Sequence, residues 1–255
     1  MKQNAVPAGS GRPGGADRAI RAILPVVTAL LATPALAGDR AGIDYIGFSP
    51  DARYFAFEEF GIQDGSGFAY ASIYVVDLER DDWVVGTPIR VQADEDAQSL
   101  AEIRASAAQQ AAEPIADLEI NMPVDVIALI GDGAPAQDGK SLAFGLPGYW
   151  AGDVIGENVL TLDTFTTSAA SPCMDWFSKE PLGFTLDIST GESTLPIHRD
   201  DALPRSRGCP FDYRIHGVVM PFMEQTLDNA VAIISVYPGG FEGPDRRFLA
   251  VPLAP

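Results

Sequence analysis

The sequence predicts a mainly β domain of antiparallel meanders, with one helix inserted near residues 94–113. Three observations carry that prediction. Short runs rich in β-branched and aromatic residues recur along the chain, with apolar and polar positions alternating. Turn residues such as Pro-Asp, Asp-Gly and Gly-Pro separate the runs. One Ala-rich segment breaks the pattern with helical spacing. A small propeller-like array of hairpins is the first expectation, and a β-sandwich or split barrel is the second.

Residues 1–37 precede the β pattern and have the three parts of a secretory signal peptide in order. A polar, Gly-rich stretch carries Lys2, Arg12, Arg18 and Arg21. The apolar run AILPVVTALLA follows at 22–32, and then ATPALA, which offers Ala35 and Ala37 to a signal peptidase. The run of 11 residues is short of the roughly 20 that a transmembrane helix needs. Cleavage is expected near Ala37, leaving a soluble periplasmic or secreted chain, residues 38–255, as a single β-rich domain without a membrane span. No adjacent Arg pair marks the twin-arginine route, and the first cysteine, Cys173, lies too far along to carry a lipid at the cleavage site.

The β pattern opens with IDYIGFSP (43–50), a Pro-Asp turn and RYFAFEEFG (53–61). A Gly-rich loop, QDGSG, leads to ASIYVVDL (71–78), and a charged turn to WVVGTPIRV (83–91). In DEDAQSLAEIRASAAQQAAE (94–113), Asp94 or Asp96 is placed to cap a helix, and Pro114 is expected to end it. Its apolar stripe suits packing on a sheet edge, with a protruding partner-binding helix as the alternative. Strands resume at 124–131, 140–146, 158–165, 183–189 and 193–198, and again at 213–220, 230–237 and 247–253. Two internal echoes suggest repeated hairpins. Residues 53–78 echo 230–253, each with a Gly-rich acidic loop between apolar strands, and 73–89 echo 183–197.

Charge narrows the partners. The full chain carries −18, and residues 1–37 hold four bases and one acid, so the exported part carries −21. That charge repels nucleic acid and anionic lipid. The two cysteines, Cys173 and Cys209, are expected to pair in an oxidising compartment. Closing that loop contributes roughly 3–4 kcal/mol on the chain-entropy account. The alternative, a metal site with His198 and His216, has no ligand spacing to support it.

FSPDARYFAF (48–57) followed by IYVVDL (73–78) resembles a blade of a TolB-type propeller, with Ala52 where such blades usually have glycine. The likeness implies hairpin geometry and no activity. A broader resemblance rests on IGFSPDARYFAFEEFGIQDGSGFAYASIYVVDLERD, HRDDALPRSRGCPFDYRIHG (198–217) and GFEGPDRRFLAVP (240–252). These segments resemble a bacterial family of predicted secreted proteins, a domain of unknown function. The resemblance implies export and one domain, and it brings no catalytic residues.

The common catalytic signatures are absent: no G-x-S-x-G elbow, no H-E-x-x-H, no Walker loop and no dinucleotide fingerprint. Glu58 and Glu59 are adjacent and so point to opposite faces of a strand. One of them, meeting Asp64 or Asp245, would make a glycosidase-like pair. Asp64, Asp94/Asp96, Asp132 and Asp138 sit in acidic loops that could take Ca²⁺, but none has the D-x-D-x-D-G register. No other cofactor is indicated. The densest polar cluster is HRDDALPRSRGCPFDYRIH. With the turn at 240–248 it offers a candidate binding surface of His198, Asp200, Arg205, Arg207, Arg214, His216, Asp245 and Arg246. The leading functional expectation is a non-enzymatic binding or envelope-associated module, with an envelope protein or a small ligand as partner. A carboxylate-based secreted hydrolase and a Ca²⁺-stabilised structural protein are the alternatives.

Overall fold

A computed structural model describes residues 38–94, 98–131 and 138–253. The expected signal peptide, Asp96 and Asp132 lie outside the described residues. Strands β1 (Gly42–Phe48), β2 (Tyr54–Ile62) and β3 (Ala69–Asp77) form an antiparallel meander. Two short strands, β4 (Asp82–Trp83) and β5 (Ile89–Gln92), both pair with β3 and complete this first sheet.

Helix α1 (Leu100–Asp117) covers one face of the sheet. It differs from the expected helix at both ends. Ser99, not Asp94, caps it: the Ser99 side chain accepts from the Glu102 backbone N–H, and Glu102 accepts in return from the Ser99 backbone. This reciprocal box satisfies two end donors at once. Pro114 lies inside the helix, which runs on to Asp117. Pro114 has no N–H to give the Gln110 carbonyl, so it costs the ladder one bond, and the helix ends within a turn of it. Ile103, Ala107 and Ala111 face Ala69, Ala71 and Ile73 of β3, and the small residues on both sides let the helix lie close.

After the helix, β6 (Val124–Leu129) joins another sheet. The second sheet is a complete meander of β7 (Ser141–Pro147), β8 (Val154–Thr166), β9 (Leu182–Thr190) and β10 (Ser193–Arg199). A short helix, α2 (Cys173–Phe177), interrupts the β8–β9 connection. The third sheet takes β11 (Pro210–Pro221), β12 (Val231–Pro238) and β13 (Arg247–Pro252), and β6 closes it on the β11 side. None of the three sheets closes on itself.

The third sheet lies between the other two. Ala232, Ile234 and Val236 pack with Leu160, Leu186 and Phe184 of the second sheet. Val231 and Ile233 pack with Phe55, Phe57 and Tyr74 of the first. Both faces are covered, which is why AVAIISV reads as a nearly continuous apolar run, broken by the buried Ser235, and not as an alternation. The second sheet has one covered face, so β9 alternates buried Phe184, Leu186 and Ile188 with partly exposed Thr185, Asp187 and Ser189.

The first echo is structural. Residues 53–78 and 230–253 both fold as strand–loop–strand hairpins, β2–β3 and β12–β13. Their Gly-rich loops touch: Phe241 lies against Gly65.

Candidate functional site

A cleft of about 640 Å³ opens where the three sheets converge. Strand alternation builds its floor. On β3, Tyr70, Ser72, Tyr74 and Val76 face the cleft, while Ala69, Ala71 and Ile73 face α1. The register brings Glu59 of β2 opposite Ser72 on one side and Arg90 of β5 opposite it on the other. Trp83 of β4 pairs with Val76. The second wall is β13, the edge strand of the third sheet, from Arg247 to Val251. The third wall comes from His198 of β10 and from Pro204–Gly208, which includes a 3₁₀ turn at Arg205–Arg207.

A disulfide between Cys173 and Cys209, with Cα atoms 5.5 Å apart, pins that third wall to α2. The Cys209 carbonyl also accepts from the Gly239 N–H, which ties the loop to the end of β12. Asp200 holds the loop's other end. Its carboxylate accepts from the Phe184 N–H at 3.0 Å, faces His198 Nε2 at 3.2 Å and lies 3.6 Å from Arg207. Burial opposes ionisation of Asp200, but these partners outweigh it and hold its pKa below the usual carboxylate value. Burial also works against charge on His198. Its bonds to Asp200 and to Asp81 of the first sheet win, and push it up to about 9.

The far end of the cleft is organised around Arg247. Its guanidinium donates to Asp39 at 2.6 Å, lies 3.4 Å from Asp245 and 3.6 Å from Glu59, and donates to the Tyr70 hydroxyl at 3.0 Å. Tyr70 donates in turn to Asp39. Backbone donors take other oxygens: Phe248 N–H bonds Glu59, and Asp39 N–H bonds Asp245. One cation shared by three carboxylates does not offset the burial of Glu59 and Asp245. Desolvation pushes Glu59 up to about 7 against the pull of Arg247, and it raises Asp245 as well.

The sequence profile of one family matches residues 56–254, most of the chain and every residue that lines the cleft. The chain belongs to the family described as Predicted secreted protein (DUF2259). No curated protein matches it. The family description agrees with the resemblance read from the sequence and with export from the cytoplasm. In this family member, no described helix is long and apolar enough to cross a membrane.

The structure gathers part of the predicted surface. His198, Arg205, Arg207 and Asp245 line the cleft, with Asp200 buried directly behind His198. Arg214, His216 and Arg246 do not line it. Arg214 bonds Asp212 and lies over Tyr237, His216 meets the edge of Phe248, and Arg246 donates to the Ala41 carbonyl. Sequence reasoning missed Asp39, Tyr70, Trp83, Arg90 and Arg247. The alternation on β3 could have flagged Tyr70. The Asp39–Arg247 pair spans 208 residues and left no local signal. Of the proposed carboxylate partners, Glu59 and Asp245 meet through Arg247. Asp138 spends an oxygen on the Lys140 N–H, and among the described residues no three His, Cys, Asp or Glu side chains form a group that could hold a metal ion.

Proposed function

We propose that the protein is exported through the general secretory route, cleaved near Ala37, and works from Gly38 onward as a non-enzymatic binding module of the periplasm or cell exterior. The observation that carries the reading is the cleft. Its volume lies in the range of small-molecule sites, its floor is aromatic, and polar groups converge on it from three sheets. The leader and the disulfide support an oxidising compartment.

The same geometry favours binding over hydrolysis. A glycosidase needs one carboxyl group free to donate a proton and a second free to attack or to activate water. Here each oxygen of Glu59 and Asp245 already faces Arg247 or a backbone N–H. These carboxylates anchor the cleft wall.

The test begins with the exported protein purified from its host, where N-terminal sequencing should start at Gly38. Incubation with a small-molecule extract of the envelope, followed by native mass spectrometry, should show a retained adduct. Ser72→Trp, which fills the floor, should lose the adduct while keeping the wild-type circular dichroism spectrum. No adduct on the wild type, or the same adduct on folded Ser72→Trp, would overturn the reading. So would turnover of a glycan substrate that Glu59→Gln abolishes.

A further inference from the structure

Most charges in the cleft have partners. Arg247 is shared by Asp39, Glu59 and Asp245, and Arg207 and His198 are held by Asp200, with Asp81 on the second ring nitrogen of His198. Among the described residues, two arginines that line the cleft make no ion pair: Arg90 and Arg205. Both are exposed. They sit on different walls. Arg90 projects from β5 on the floor side, beside the Tyr74 hydroxyl and 5.9 Å from the centre of the Trp83 ring. Arg205 stands on the 3₁₀ turn, four positions before the bridged Cys209.

Asp82 is the lining acid without a cation; it is the exposed first residue of β4, and its carboxylate accepts the Trp83 N–H at 2.7 Å. Outside the clusters around Arg247 and Asp200, the lining charges are two arginines and one rim acid, in a chain whose full charge is −18. Two guanidinium groups without a carboxylate at ion-pair distance are points of positive charge on the walls of one concave site. Guanidinium forks match carboxylate and phosphate oxygens in pairs of hydrogen bonds. Both forks stand on braced backbone, β5 in the sheet and the disulfide-pinned turn, so binding orders the two side chains and not the chain beneath them.

We infer that the ligand of this cleft is a small organic acid, a molecule bearing carboxylate or phosphate groups that Arg90 and Arg205 grip from opposite walls beside the Trp83 indole. The inference rests on the binding reading above. Each arginine replaces hydration with charge-assisted hydrogen bonds, so loss of either should weaken binding roughly 10- to 100-fold.

Isothermal titration at low salt with citrate, inorganic phosphate and glucose tests the inference on the intact exported protein. Citrate should bind the wild type and raise its melting temperature. Arg90→Gln and Arg205→Gln should each weaken that binding by the stated factor, and the double variant should abolish it. Arg80→Gln, outside the cleft, should bind as wild type does. Phosphate binding that is tighter than citrate binding and equally sensitive to both arginines would assign the phosphate chemistry within the same inference. Failure of both anions to bind, or equal binding by the double variant, would overturn the inference. Binding of glucose that Ser72→Trp abolishes, without anion binding, would overturn the acidic ligand and leave the binding module standing. An envelope adduct retained equally by wild type and double variant would do the same.

Discussion

Glu58 and Glu59 are chain neighbours of one type, and each meets an arginine, yet they sit in opposite electrostatic situations. Glu58 faces α1, where Arg104 donates to it through Nε at 3.0–3.1 Å and through a terminal nitrogen at 2.6 Å. The same guanidinium reaches Asp44 and lies 3.8 Å from the centre of the Phe60 ring. Asp44 is half exposed, so that side is in contact with water. Glu59 faces the cleft, where Arg247 serves three carboxylates and two of them are almost fully buried. Glu59 shows that a buried acid is not settled merely by having a cation nearby. The count of acids per cation and the access of water decide its state. One sheet therefore has a face that holds a helix and a face that holds reserve charge.

The largest expected effect comes from removing the cation on the cleft face. Arg247→Met keeps the bulk and leaves Asp39, Glu59 and Asp245 facing each other. Breaking a buried pair in this way costs about 3–5 kcal/mol. Urea unfolding at pH 7.5 should show that loss. At pH 5 the loss should shrink, because the stranded carboxyls can take up protons. A loss that does not change with pH would mean the arginine acts by packing and not by charge.

The next effect separates burial from pairing at Glu59. Its folded pKa of about 7 lies above its ordinary value of 4.5. The folded state thus keeps a proton that the unfolded chain gives up, and this group's contribution to stability falls as pH rises from 4.5 through about 7. At roughly 1.4 kcal/mol per unit the full fall is about 3–4 kcal/mol, and about 2–3 kcal/mol of it lies between pH 5 and pH 8. Glu59→Gln cannot titrate, and its amide oxygen can still accept from the Phe248 N–H. Its stability relative to wild type should climb by that amount between pH 5 and pH 8, measured by chemical unfolding. Parallel curves for the two proteins would show that Glu59 is ionised throughout.

The difference between the two faces also explains what could be read from sequence. Alternation and turn residues disclosed β2, β3 and their hairpin, because strand period and Pro-Asp or Gly-rich turns are local. The disulfide followed from two cysteines and an export signal. The cleft was only half legible. Arg246 and Arg247 are neighbours, and nothing local says which one faces inward; the register that sets Arg247 opposite Val236 decides it. Nothing local to WVVGTPIRV marks Arg90; pairing with Ser72 and the approach to Trp83 come from the sheet register. The acidic stretch at 94–96 has the residue type of a cap, but the capping box at Ser99 and Glu102 starts the helix.

The smallest expected effect is on the helix side. Arg104→Met removes the bonds to Glu58 and Asp44 and the contact with Phe60. About a third of the Arg104 side chain is exposed, so water can reach Glu58 once the guanidinium is gone. The cost should be about 1–2 kcal/mol at low salt, above an ordinary surface pair because two nitrogens engage one carboxylate. In 1 M NaCl the cost should fall, because exposed pairs are screened over about 3 Å at that ionic strength. Unfolding of Arg104→Met and Arg247→Met at both salt concentrations makes the comparison direct. Salt should narrow the first difference from wild type and leave most of the second. A salt-independent loss of 3 kcal/mol or more at Arg104 would place both faces of the sheet in the same electrostatic class.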